Sequence, residues 1–287
     1  MKNWQAYVVS FLFVSIVIFI PKATHKVVVD SVFHNVPDNA SIIVLSPHLD
    51  DAVLSLGGFL SKYKGRAEVA TFFTKRNQNP IRTYWDKISG FKDSVESINN
   101  RIEENNTALN ISSSTAVNFV FNDFQYRRDE DSSKIIEDIS SLIDSILSIN
   151  SNRNIYVYGP AEFGDNITHP DHLLLHKAFI QVSKGYMDNK NINFYIYEDF
   201  PYVNRYMKLG RGELKNYLEQ QSNIKLKPEI IFLSNDNLNN KIIALEKYSS
   251  QIKAFNSFNE HLIDETKDFT LNRTSSGPSE IVYRILP

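Results

Sequence analysis

Short apolar runs alternate along the chain with longer amphipathic stretches, a pattern that predicts strands separated by helices. Ile42–Leu45 is a β-branched run that reads as a buried strand, and Ala52–Leu60 reads as a helix packed on a sheet. Glu68–Phe73 predicts a second strand, Lys92–Asn110 a helix and Val117–Phe121 a third strand. In Ser133–Ile149, apolar residues at Ile135, Ile136, Ile139, Leu142, Ile143 and Ile146 recur at helical spacing. Ile155–Tyr158, the amphipathic stretch Leu173–Val182 and Phe194–Tyr197 continue the series. The alternation predicts an α/β, doubly wound, mainly parallel sheet with helices on both faces. Lys75–Phe91 is a polar, aromatic-bearing insertion, expected to be a substrate-facing loop. Residues 207–234 are less regular and are expected to form a small appended layer.

The N-terminus follows a different pattern. From Trp4 to Ile20 it is almost wholly apolar, and at about 17 residues it meets the lower limit for a membrane span. Pro21-Lys22-Ala23-Thr24 makes a poor signal cleavage site, so an uncleaved N-terminal hydrophobic helix anchoring the chain to a membrane is preferred to an exported, cleaved form. Lys2 on one side and Lys22 with Lys26 on the other leave the orientation open. The expected organisation is residues 1–26 as anchor or signal, 27–40 as linker and 41–287 as one catalytic domain. A net charge of −2 gives no electrostatic footprint for nucleic acid. With no cysteine, any metal must sit on histidine and carboxylate ligands.

Two segments carry such ligands. Ser46-Pro47-His48-Leu49-Asp50-Asp51 follows the first strand, at the position where open α/β sheets bind ligands. Thr168-His169-Pro170-Asp171-His172 follows the Ile155–Tyr158 strand through a Gly/Pro-containing loop. Three of the seven histidines lie in these two clusters. Either cluster alone also fits a helix start, with Asp at the N-cap or Pro in the first turn. Their recurrence in matching strand–loop–helix contexts favours a metal site. No glycine-rich phosphate loop follows the first strand, which disfavours a nucleotide-dependent enzyme.

Pro47-His48-Leu49-Asp50-Asp51 and His169-Pro170-Asp171-His172 resemble the two motifs of the PIG-L/LmbE-type zinc-dependent N-acetyl-sugar deacetylases. Arg101-Ile102-Glu103-Glu104, Tyr197–Tyr202 and the Lys241…Tyr248-x-x-Gln251 segment are similar to softer features of that family. The likeness runs in order from about Ser41 to the C-terminus. It implies a Rossmann-like, LmbE-type fold and a hydrolase that removes an acetyl group from a GlcNAc-type sugar through a metal-activated water. The expected N-terminal anchor, by location alone, suggests a lipid-linked or cell-surface glycan as the substrate. His48, Asp51 and His172 are implied as ligands of Zn2+ or another divalent metal, with Asp50 as general base. Protonated His169 is implied to stabilise the developing oxyanion, held in place by Asp171, and Asp50 or His169 to protonate the leaving amine. Arg101 is a candidate substrate contact or part of a solvated helix face, and Glu198 and Asp199 are candidates for the mouth of the site or for a strand end before Pro201. Tyr248 and Gln251 read as packing residues. The sequence departs from the family's commonest first motif, with Leu49 in place of a proline and Ala52 in place of a glutamate. That departure keeps a non-catalytic glycan-binding protein as the rival reading.

Overall fold

A computed structural model describes residues 32–128, 130–150 and 153–287. The expected hydrophobic anchor lies outside the described residues. Among them, eight strands form one sheet: β1 (Val32–Phe33), β2 (Ser41–Ser46), β3 (Ala67–Thr71), β4 (Thr115–Asn118), β5 (Ile155–Pro160), β6 (Ile192–Tyr197), β7 (Lys225–Phe232) and β8 (Ser279–Leu286). Their order is β1-β7-β8-β6-β5-β2-β3-β4. All pairings are parallel except those of β8 with β6 and β7. The helices are α1 (Asp51–Lys62), α2 (Tyr84–Ser89), α3 (Ser94–Ile111), α4 (Ser132–Ile149) and α5 (Pro170–Gly185), then α6 (Tyr202–Lys208), α7 (Leu214–Ser222), α8 (Asn235–Leu245), α9 (Ser249–Asn256) and α10 (Leu262–Asn272).

The order of connections positions the site. From β2 the chain steps outward through α1 to β3 and through α3 to β4. It then returns through α4 to β5, beside β2, and steps the other way through α5 to β6. Right-handed crossovers running in opposite directions place their helices on opposite faces of the sheet. Accordingly α1, α3 and α8 pack together, and α4 packs with α5. The strand order reverses between β2 and β5, so a crevice opens beyond their carboxyl ends. Both histidine clusters begin there.

Three expectations change. Residues 207–234 do not form an appended layer, because they supply α7 and the full-length strand β7, paired along its length with β8. Lys225, Lys227 and Glu229 alternate with Leu226, Pro228 and Ile230 at the period of a half-buried strand, but Pro228 within the run argues against one. In the described part of the expected linker, β1 pairs with β7 and His34, Val36 and Ala40 are buried. The 75–91 insertion is not all loop. It contains α2, started by a Thr83/Asp86 capping box, ended by Gly90 at φ 97°, and packed on α9.

His176 fixes α5 to β5. Its Nδ1 donates to Pro160 O at 2.7 Å, and Ser222 Oγ lies 3.4 Å from its Nε2. Burial lowers its pKa to about 4. A folded-state value below the unfolded one near 6.5 means that the stabilisation is present above pH 6.5 and is lost as pH falls through 4. The shift corresponds to roughly 3 kcal/mol over that window. His176→Gln is expected to flatten the fall in unfolding free energy between pH 6.5 and 4, measured by urea titration. An unchanged slope would refute the assignment.

Candidate active site

The loop after β2 folds back on itself. Ser46 Oγ donates to His48 O at 2.7 Å and accepts from Ala52 N at 3.1 Å. Asp50 occupies the N-cap position of α1, yet its side chain makes no cap hydrogen bond. Capping therefore does not account for this carboxylate. Asp51 Oδ2 accepts from His48 N at 2.7 Å, which turns the His48 ring and the Asp51 carboxylate toward the same point. Across the crevice, His169 caps α5 and Pro170 opens its first turn, which brings His172 in from the β5 side.

Three donor atoms converge there. His48 Nδ1 lies 3.4 Å from Asp51 Oδ2 and 3.2 Å from His172 Nε2, and His172 Nε2 lies 3.1 Å from Asp51 Oδ2. The edge between two ligands of a tetrahedral zinc-like ion is about 3.3 Å, so the triangle fits such an ion. The far nitrogen of each imidazole meets a carboxylate, His48 Nε2 with Asp171 Oδ2 at 3.0 Å and His172 Nδ1 with Asp199 Oδ2 at 2.5 Å. Such partners fix the tautomer so that the inward nitrogen is free to bind a cation. His169 with His48 and His172, and Asp199 with Asp51 and His172, are further groupings of donors within 4.8 Å. His169 Nδ1, however, accepts from Asp171 N, and Asp199 lies on the far nitrogen of the His172 ring.

The electrostatics match a cation pocket. Burial opposes charge on His48, but Asp123, Asp171 and Asp51 outweigh it and hold its pKa well above the usual value. Burial likewise opposes charge on His172, and Asp199 and Asp51 raise its pKa to about 10. The Asp50 carboxyl is raised to about 6 by burial and by the adjacent Asp51 carboxylate. Arg101 NH2 stands 3.4 Å from Asp50 Oδ1, and its NH1 is 3.7 Å from Asp123 Oδ2.

The structure brings His48, Asp50, Asp51, His169, Asp171, His172 and Arg101 into this crevice, but several details differ from expectation. Asp171 does not hold His169, since its Oδ2 is 3.9 Å from His169 Nδ1. It bonds His48 instead, and also accepts from Phe124 N at 2.8 Å and pairs with Arg127 at 2.7 Å. The surroundings of His169 also oppose the protonated form. Burial and the neighbouring His48 push its pKa down to about 4. Arg101 is buried against Asp50 and does not belong to a solvated face. Glu198 lies outside the crevice, buried in an ion pair with Arg273 and accepting from Tyr283 Oη at 2.9 Å. Successive side chains of extended backbone point to opposite faces, so Asp199 enters the site while Glu198 leaves it. Asp199, expected with Glu198 at the mouth of the site or at a strand end, instead backs His172. Asp123 and Arg127 escaped the sequence reading.

Residues 43–183 match the PIG-L family, described as GlcNAc-PI de-N-acetylase. The chain carries a PIG-L domain. Its fold is shared with the A40926 pseudoaglycone deacetylase Dbv21, at TM-score 0.71 and 22% identity over 87% of this chain and 98% of that one. The zinc-inhibited form of teicoplanin deacetylase Orf2 gives TM-score 0.70 and 22% identity over 86% of this chain and 98% of that one. The N,N'-diacetylchitobiose deacetylase from Pyrococcus horikoshii gives TM-score 0.52 and 14% identity over 87% of this chain and 84% of that one. No curated protein matches the chain. In this PIG-L domain Ala52 is buried in the first turn of α1 where the family's commonest motif has a glutamate. Asp171 and Asp199 nevertheless give each inward-facing imidazole a carboxylate partner.

Proposed function

We propose that this PIG-L protein is a metal-dependent hydrolase that removes the acetyl group from an N-acetylated amino sugar. The supporting observation is the convergence of His48 Nδ1, His172 Nε2 and Asp51 Oδ2 beside an Asp50 carboxylate that caps nothing. His48, Asp51 and His172 hold zinc or another divalent cation in this reading. Bound there, the ion supplies Lewis acidity, which eases deprotonation of a water and polarises the acetyl carbonyl. Asp50 takes the proton from the attacking water, and a carboxyl raised to about 6 suits a base working near neutrality. Arg101 keeps that carboxylate in position.

Attack drives negative charge onto the carbonyl oxygen. His169, whose pKa is lowered to about 4 and whose Nδ1 already accepts from Asp171 N, offers its Nε2–H as the donor to that oxygen. When the carbon–nitrogen bond breaks, Asp50 returns the proton to the leaving amine, and acetate and a free amino sugar depart. The three similar structures are named as deacetylases, one of them for N,N'-diacetylchitobiose, and this supports the substrate class.

The direct test incubates the metal-loaded protein with a panel of N-acetylhexosamine conjugates. Acetate and free amine are expected in equal amounts. Metal binding without amine release from any conjugate would favour the glycan-binding alternative. Asp199→Asn is expected to weaken metal affinity by roughly 10–100-fold, since it removes the carboxylate that orients His172. Competition with a chromogenic chelator measures this, and unchanged affinity would count against the ligand set.

We also propose that residues 4–20 anchor the chain to a membrane, on the strength of their apolar run alone. No helix among the described residues is long and apolar enough to cross one. Retention of the full chain in the pellet after alkaline extraction is the expected result, and its release would remove the proposal.

A further inference from the structure

Beside the cation pocket stands an aromatic ridge that the chemistry above does not use. Tyr84 is 66% exposed and Phe258 43% exposed. Trp85 lies nearly parallel to Phe258, with centroids 6.3 Å apart and planes at 16°, and meets Phe255 edge-on at 5.4 Å. Tyr84 flanks Phe258 at 6.4 Å. Exposed large apolar groups gathered in one patch mark a binding surface more often than a structural need.

The rings are fixed in place. Trp85 Nε1 donates to Gln251 Oε1 at 3.0 Å, and α2 is capped at both ends. Asp86, beneath Trp85, accepts from Tyr126 Oη at 2.5 Å. A chain of polar contacts joins the ridge to the pocket. Thr83 Oγ1 donates to Gln125 Oε1 at 2.7 Å, and Gln125 Nε2 donates to Asp123 Oδ2 at 3.0 Å. Asp123 Oδ2 in turn lies 3.9 Å from His48 Nε2. Phe124, next to Gln125, stands edge-on to His169 at 5.8 Å. These contacts tie the start of α2 to the His48 and His169 walls of the pocket.

We propose that Tyr84, Trp85 and Phe258 form a stacking subsite for a second pyranose ring, so that the substrate is an oligosaccharide or glycan rather than a free monosaccharide. This rests on the deacetylase reading. The negative face of an aromatic ring attracts the weakly positive C–H face of a pyranose. Exposed Asn256, Asn259 and Lys87 supply hydrogen-bonding groups for hydroxyls at its edge. A patch of rigid rings edged by amides suits a sugar better than an acyl chain, which packs into an aliphatic groove.

The sequence has two tryptophans, Trp4 and Trp85, so in full-length Trp4→Phe the emission reports on the ridge alone. Titration with N-acetylglucosamine and its β-1,4 oligomers up to the tetramer is expected to change that emission. The tetramer should bind roughly tenfold more tightly than the monomer, the scale expected of one or two ring contacts. Tyr84→Ala and Phe258→Ala, introduced separately in that background, are expected to abolish the gain with ring number. Equal affinity for monomer and tetramer, or a gain that survives both substitutions, would overturn the subsite. So would a response to phosphatidylglycerol vesicles with none to the oligomers, which would mark a membrane face instead. Amine release from the conjugate panel without ring-number dependence removes the subsite and leaves the deacetylase reading intact. Oligomer binding at the ridge with no amine release does the reverse.

Discussion

Asp50→Asn is expected to lower kcat for amine release by roughly 10²–10⁴-fold, the usual contribution of a positioned general base. The metal content should be unchanged, because the inward-facing donors are on His48, Asp51 and His172. The substitution is nearly isosteric and breaks no cap hydrogen bond, since the Asp50 side chain makes none. Its ion pair with Arg101, at 3.4 Å, is long, so folding should be little disturbed. Steady-state acetate release, metal analysis and far-UV circular dichroism together decide the matter. A variant that holds metal, folds and turns over at the wild-type rate would remove Asp50 from the mechanism.

The second large effect concerns stability. Helix α1, which carries Asp50 and Asp51 at its start, departs from helical geometry at Leu56, with φ −122° and ψ 20°. The break is bridged from β8. Glu280 accepts from Gly58 N at 2.9 Å and Phe59 N at 2.7 Å, and pairs with Lys241 Nζ at 2.7 Å. Lys241 also reaches Ser55 O at 3.4 Å. Gly58 has no room for a side chain, as a Cβ there would stand 2.3 Å from Leu233 Cδ1.

Removing one partner of a buried pair leaves an uncompensated charge, so Glu280→Ala should cost about 3–5 kcal/mol in denaturant unfolding. The double variant Lys241→Met, Glu280→Leu should recover part of that loss, because no charge is then left unpaired. A loss below about 1 kcal/mol for Glu280→Ala would show that the pair does not hold the kinked helix.

Much of the site was legible because its chemistry is local in sequence. His48 with Asp50 and Asp51, and His169 with His172, each sit on a strand-to-helix turn whose apolar strand and amphipathic helix can be read directly. The long helices α3 and α4 and the buried strands β2 and β5 were legible for the same reason. β7 was not, since Pro228 interrupts it and its partner β8 is distant in sequence. Which carboxylate backs which imidazole was hidden. Asp199, just past the end of β6, serves His172, and Asp171 serves His48 across the crevice rather than His169 nearby.

The sequence by itself determined the alternating α/β order and the types of residue available for a cysteine-free cation site, because backbone periodicity and side-chain chemistry are properties of short segments. Only the tertiary structure decided which nitrogen of each imidazole faces inward, that Glu198 turns to Arg273 while Asp199 turns to His172, and that an aromatic ridge is linked to the pocket through Gln125 and Asp123. Those outcomes depend on which distant strands become neighbours. Burial then makes every unpaired charge costly enough to select one partner among several.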